Sequence, residues 1–166
     1  MRPRTVVTWL AALALALVLG GRLDVGSLAA GPEGAAAVQD RVVRVVDGDT
    51  VQLARTGRAR LIGVDTPEVH GRRECFGPQA SRFARRRLRG RAVVVRGDAE
   101  PEDRYGRRLV YLFLGGRLFN AELVRGGYAT TLTIRPNTRH AARLATEERR
   151  ARARRAGLWS ACSASL

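Results

Sequence analysis

From Arg41 the chain runs through "RVVRVVDGDTVQLA", a valine-rich stretch in which apolar and polar positions alternate weakly. Branched side chains in that pattern predict a strand. The polar "RTGR" (55–58) predicts a turn, and "ARLIGV" (59–64) the return strand. With the turn centred on Thr56-Gly57, Asp49 lies across from Val64 or Asp65. After the irregular basic segment "TPEVHGRRECFG", "PQASRFARRRLRG" reads as a helix with Pro78 near its start and Gly90 past its end. Phe83, Ala84 and Leu88 form its inward face. "RAVVVRG" (91–97) and "RRLVYLFLGG" (107–116) read as strands joined by "DAEPEDRYG", and "RLFNAELVRGG" as a short helix ended by Gly126-Gly127. "YATTLTIRPN" is extended, because Pro136 disfavours helix before it. "TRHAARLATEERRARARRAG" predicts a long helix with Thr138 as N-cap and Gly157 as stop, then a tail in which Trp159 packs back. Closely spaced strands with interspersed helices fit a five-stranded barrel carrying three helices.

The N-terminus has a different pattern. "MRPR" is followed by an apolar run from Val6 to Leu19, short for a bilayer span, and then by small residues. Residues 1–29 read as a signal peptide cut near Ser27-Leu28-Ala29, or as an uncleaved N-terminal anchor. Either takes the domain out of the cytoplasm, to a secreted, periplasmic or cell-surface location. Residues 30–40 carry no periodicity and read as a linker, 41–160 as the folded domain and 161–166 as a C-terminal tail. Cys75 and Cys162 both follow the leader, and an even count in an exported chain predicts a disulfide between them.

Charge narrows the partners. There are 30 basic residues, all arginine, against 15 acidic ones, a net charge of +15. Such an excess points to a polyanion, with nucleic acid the first candidate.

Four short motifs can carry chemistry: "DGDT" (47–50), Arg60 at a strand start, "DTPE" (65–68) and "DRYGRR" (103–108). Each alone fits a solvated turn or strand end. Read together they give two carboxylates, Asp49 and Asp65, without a nearby His or Cys cluster. That favours a hard, oxygen-ligated cation such as Ca²⁺ or Mg²⁺ over zinc. The backbone carbonyl of Thr66 can add a ligand, Arg60 and Arg107 can hold a phosphate bidentately, and Glu68 can take a proton from water.

With these residues in order, "DGDTV", "RLIGVDTPE", "GPQAS", "YGRRLVYL", "LVRGGYA" and "GLW", the chain resembles the thermonuclease family of staphylococcal-nuclease-like calcium nucleases, from about Val42 to Trp159. The resemblance implies an OB-fold barrel with three helices. It implies Ca²⁺ held by Asp49, Asp65 and the Thr66 carbonyl, with Glu68 as general base and Arg60 and Arg107 as phosphate-binding catalytic arginines. Tyr105 falls at the position that holds the phosphate end of the nucleotide. The implied reaction is hydrolysis of the 5′ P–O bond of DNA or RNA by a monomeric enzyme, leaving 3′-phosphate ends. Two departures stand out. The loop after Glu68 is short, and two tyrosines of the family's nucleotide pocket are replaced by Leu132 and Ile134.

Two other functions fit the residues less fully. One is a catalytically silent OB-fold module that binds nucleic acid, and the other a basic domain bound to an anionic envelope polymer. His70 and His140 are isolated and lack metal-ligand spacing. The arginines of the last helix read as a hydrated surface that adds nonspecific phosphate affinity.

Overall fold

The computed structural model describes residues 37–71 and 73–162. The expected leader and the first part of the expected linker lie outside the described residues. Strands β1 (Val38–Val45), β2 (Thr50–Leu53) and β3 (Gly57–Leu61) form an antiparallel meander. Next to β1 lies β5 (Ala92–Arg96), followed by β6 (Arg108–Leu114) and the short β7 (Arg117–Leu118). Parallel pairing of β3 with β6 closes β1, β2, β3, β6 and β5 into the expected five-stranded barrel. Alternation explains its interior: Val42, Val51, Leu61, Val93, Val110 and Leu112 are all buried.

The valine-rich stretch is not one strand. It breaks at Asp47-Gly48-Asp49 into a hairpin, because Asp47 Oδ1 accepts from the backbone N–H groups of Asp49 (3.1 Å) and Thr50 (2.6 Å). β1 also starts at Val38, inside the stretch read as linker. Asp40 gives that start a purpose. Its buried carboxylate accepts from the N–H groups of Arg55 and Thr56 and from the Thr56 hydroxyl, clasping the β2–β3 turn.

The register of that second hairpin also differs. Thr50 pairs with Arg60 and Leu53 with Gly57, so Asp49 lies opposite Leu61 rather than Val64 or Asp65. β3 then ends, and Gly63, at φ 77°, redirects the chain. The next strand, β4 (Gly63–Asp65), pairs with β8 (Thr130–Leu132) instead of extending the hairpin.

Helix α1 (Gly77–Leu88) lays Ala80, Ala84 and Leu88 on the barrel, and Phe83 stacks on Tyr128 at 4.2 Å. Helix α2 (Phe119–Arg125) follows β7, and its fully buried Asn120 ties the turn after β3 to β6. Asn120 donates to the Ile62 carbonyl (2.8 Å) and accepts from the Leu112 N–H (3.1 Å). Helix α3 (Ala141–Ala153) begins later than expected, with His140 rather than Thr138 at the N-cap position. A fourth short helix, α4 (Leu158–Ala161), replaces the start of the expected tail. It buries Leu158, places Trp159 against the Arg152 guanidinium at 4.3 Å, and ends at Cys162, which is bonded to Cys75.

Candidate active site at the barrel mouth

The barrel brings three of the singled-out side chains into direct contact. Arg60, on β3, places Nη1 3.1 Å from Asp49 Oδ1 and Nη2 2.8 Å from Asp65 Oδ1. Nη1 also donates to the Val64 carbonyl at 2.8 Å, so the guanidinium is fixed on two sides. The two acids therefore meet through a strand-end arginine although their strands are not paired. Thr66 closes the cluster: its N–H and its hydroxyl both donate to Asp49 Oδ2 at 2.8 Å. Gly48 permits that approach, since a Cβ there would stand 2.6 Å from Thr66 Cγ2.

Burial dominates the electrostatics of the pair. It pushes the Asp49 carboxyl above its ordinary value, against the pull of Arg60, and the neighbouring Asp47 adds to the rise. Asp65 is raised in the same way, by burial first, with Arg60 opposing and Asp49 and Glu74 repelling. One guanidinium thus leaves two converging carboxylates short of positive charge. Hard oxygen donors in that state, with the Thr66 backbone between them, suit a divalent cation of the calcium type. Among the described residues no group of three or more His, Cys, Asp or Glu side chains is arranged to hold a metal. This centre offers two carboxylates, and the Thr66 backbone reaches Asp49 through its N–H.

Arg107 makes no contact with these acids. It lies at the start of the β6 segment, where Asp103 holds it: Asp103 Oδ2 accepts from Nε at 2.7 Å, and Oδ1 from the Arg107 and Tyr105 N–H groups. Burial opposes ionisation of Asp103, but the hydrogen bonds from Arg107 and Tyr105 prevail and its carboxyl falls below the usual range. Arg107 nevertheless shares a cleft of about 440 Å³ with Arg60, Tyr105, Leu132 and Ile134. Tyr105 is 68% exposed, and the Arg107 guanidinium lies 5.5 Å from its ring centroid. One face of the molecule therefore carries both arginines and an open aromatic ring.

Glu68 stands apart on the loop between β4 and α1, exposed to solvent. Its N–H donates to Glu74 Oε2 and its carbonyl accepts from the Glu74 N–H, both at 3.0 Å. Cys75, the next residue, is joined to Cys162 with Cα atoms 5.9 Å apart, so the loop is tethered to the C-terminal segment.

Sequence reasoning missed two residues of this site. Asp103 carried a usable signal, since Asp before Tyr-Gly is turn chemistry that presents the following N–H groups to its carboxylate. Glu74 carried none, because only the folded loop brings it to Glu68 and Asp65. Of the histidines, His140 packs edge-on against Tyr111 at 4.5 Å, and its pKa is lowered by burial first and then by neighbouring arginines. His70 lines a different cleft.

Comparison with known proteins gives the family. The family model described as "Staphylococcal nuclease homologue" matches residues 58–161. A thermonuclease of Staphylococcus hyicus is 36% identical over 126 residues, covering 72% of this chain and 75% of the relative. One of Staphylococcus intermedius is 36% identical over 124 residues, covering 71% and 74%. A prophage-derived endonuclease of Bacillus subtilis is 26% identical over 125 residues, covering 70% of this chain and 42% of its own. By the family match and by these identities, the chain belongs to the staphylococcal nuclease, or thermonuclease, family.

Proposed function

We propose that this protein is an exported, Ca²⁺-dependent nuclease, indifferent to the sugar, that hydrolyses DNA and RNA to 3′-phosphate ends. The observation that carries the reading is Arg60 bridging Asp49 and Asp65 at the mouth of a cleft that also holds Arg107 and Tyr105. Asp49, Asp65 and the Thr66 carbonyl would hold the cation. Calcium there supplies positive charge to a phosphodiester that the acids alone would repel.

The remaining work falls to the chain's own groups. Arg60 and Arg107 grip the non-bridging phosphate oxygens through paired N–H donors and meet the charge that grows as phosphorus is attacked. Asp103 keeps the Arg107 fork oriented before substrate arrives. Glu68, unburied and on a loop, accepts a proton from water as its oxygen attacks phosphorus. The bond to the 5′ oxygen breaks and that oxygen takes a proton from solvent, giving a 5′-hydroxyl on one product and a 3′-phosphate on the other. Tyr105 positions the phosphate end. None of these contacts reads a base or a 2′-hydroxyl, which supports action on both nucleic acids. Export agrees with the Cys75–Cys162 bridge, since disulfides persist in oxidising compartments.

The test is incubation of the purified domain with single-stranded DNA and with RNA, with calcium or with chelator, followed by end-group analysis. Calcium-dependent fragments with 3′-phosphate ends are expected. Intact substrate after prolonged incubation with calcium would overturn the reading.

A further inference from the structure

A second cleft, of about 490 Å³, lies between β1 and α1. Arg44 of β1, Arg85 of α1 and Arg89, the residue that caps α1, line it, with His70 from the loop beyond Glu68 and the apolar surface of Val43 and Val46. All three arginines are exposed, and among the described residues no carboxylate lines the cleft. None of the three forms an ion pair among the described residues, whereas Arg60, Arg87 and Arg107 each have a carboxylate partner. Arg85 and Arg89 are also one helical turn apart, a spacing at which like charges repel. The fold gains nothing from concentrating guanidinium groups here. A ligand bearing several negative charges would relieve the repulsion. Val43, 49% exposed, adds an apolar contact beside the cations that inorganic anions would not use.

Chain continuity ties this cleft to the active site. Val46 precedes Asp49 by three residues, and His70 follows Glu68 by two. Because an extended chain advances at most about 3.6 Å per residue, the near wall begins within about 11 Å of the Asp49 backbone. We propose that the cleft is a second phosphate-binding site, which takes the backbone of the nucleic-acid strand flanking the bond that is cut. The inference rests on the nuclease reading and adds to it a site remote from the reacting phosphate. Its consequence is a dependence on substrate length: a strand long enough to reach the cleft binds more tightly, while the chemical step is unchanged. Strands of about 4–16 nucleotides are the usual reach of one OB-type barrel.

The experiment compares the Arg44→Gln/Arg85→Gln/Arg89→Gln variant with wild type and with Arg55→Gln/Arg58→Gln/Arg117→Gln, which removes the same charge at exposed positions outside both clefts. Binding of a single-stranded oligonucleotide in chelator is followed by fluorescence anisotropy across salt concentrations. Each lost phosphate contact lowers the salt slope by about 0.7, so the cleft variant should fall by about 2 and the control by much less. With calcium, KM for the long strand should rise in the cleft variant only, with kcat unchanged. Turnover of a single-nucleotide aryl phosphodiester should be the same in all three proteins. Should the triple variant melt early, Arg44→Gln alone gives the same comparison with a slope change of about 0.7. Equal slope changes in the two triple variants, or an impaired small substrate, would overturn the proposal. Wild-type protein that binds DNA but never cuts it would remove the nuclease reading and leave the slope comparison still deciding the cleft.

Discussion

Arg60 and Arg107 share one cleft and are held in opposite ways. Arg60 grows from a barrel strand, its side chain is 14% exposed, and two acids from separate segments converge on it. Arg107 is 22% exposed and is held by an acid four residues earlier in its own turn. The first arrangement exists only in the folded barrel and contributes to holding it together. The second is local, close to water, and adds little to the fold. The contrast teaches that one cleft can mix an arginine built into the barrel with one held only by its own turn.

The largest expected effect falls on the groups that the proposed function assigns to chemistry. Arg107→Ala and Glu68→Gln should each lower kcat by about 10²- to 10⁴-fold, the usual size of one electrostatic or general-base contribution. Thermal melts should place Arg107→Ala within about 1 kcal/mol of wild type, since its ion pair is near the surface. Arg60→Ala should lose activity as well, and also stability. Removing one partner of a buried pair costs about 3–5 kcal/mol, with the lower end expected here because Asp65 is 54% exposed. Equal melting temperatures for the two arginine variants would break the contrast.

Next in size is the tether. The Cys75–Cys162 bridge closes a separation of 87 residues, and its removal by Cys75→Ala/Cys162→Ala should destabilise the domain by about 2–5 kcal/mol in denaturant titrations. Smaller still is the effect of the pocket wall. Ile134 is 61% exposed in the cleft with Tyr105, and Ile134→Tyr should strengthen single-strand binding by about 1–3 kcal/mol through one stacked base.

The last prediction concerns pH. Asp49 and Asp65 have folded pKa values above their unfolded ones, so the folded state holds more protons in the acidic range. Their contribution is full below the unfolded carboxylate pKa, near 4, and is lost as pH rises through the raised values. In chelator, wild-type stability relative to Asp65→Asn should therefore decline with rising pH across that window. Calcium should reverse the decline, because it competes with those protons.

Much of this was legible before folding. The valine-rich alternation from Arg41 and the run "ARLIGV" announced barrel strands, and Ala84 and Leu88 a helix face. Asp49, Asp65 and Arg60 were legible as chemistry only together, since each alone is an ordinary turn or strand-end residue. What the sequence could not give was register. Asp47 captures the N–H groups of Asp49 and Thr50 and splits the first strand, Asp40 fixes where the next turn falls, and Gly63 turns β4 away. The Asp47 capture is local turn chemistry inside an unbroken valine pattern, while the Asp40 clasp and the turn at Gly63 are settled by partners distant in the sequence. The pairing of the acids survived the wrong register because Arg60 is long enough to span the gap between them. Glu74 and the β1–α1 cleft were illegible for the same reason, as their members come from segments with no shared motif.

The most direct measurement is a calcium titration of single-stranded DNA cleavage by wild type and Asp65→Asn. If the two carboxylates hold the cation beside the scissile phosphate, wild-type cleavage should saturate with calcium and vanish in chelator, and the variant should need far more calcium or fail to cut. Cleavage by wild type that persists in chelator, or identical calcium curves for the two proteins, would contradict the account.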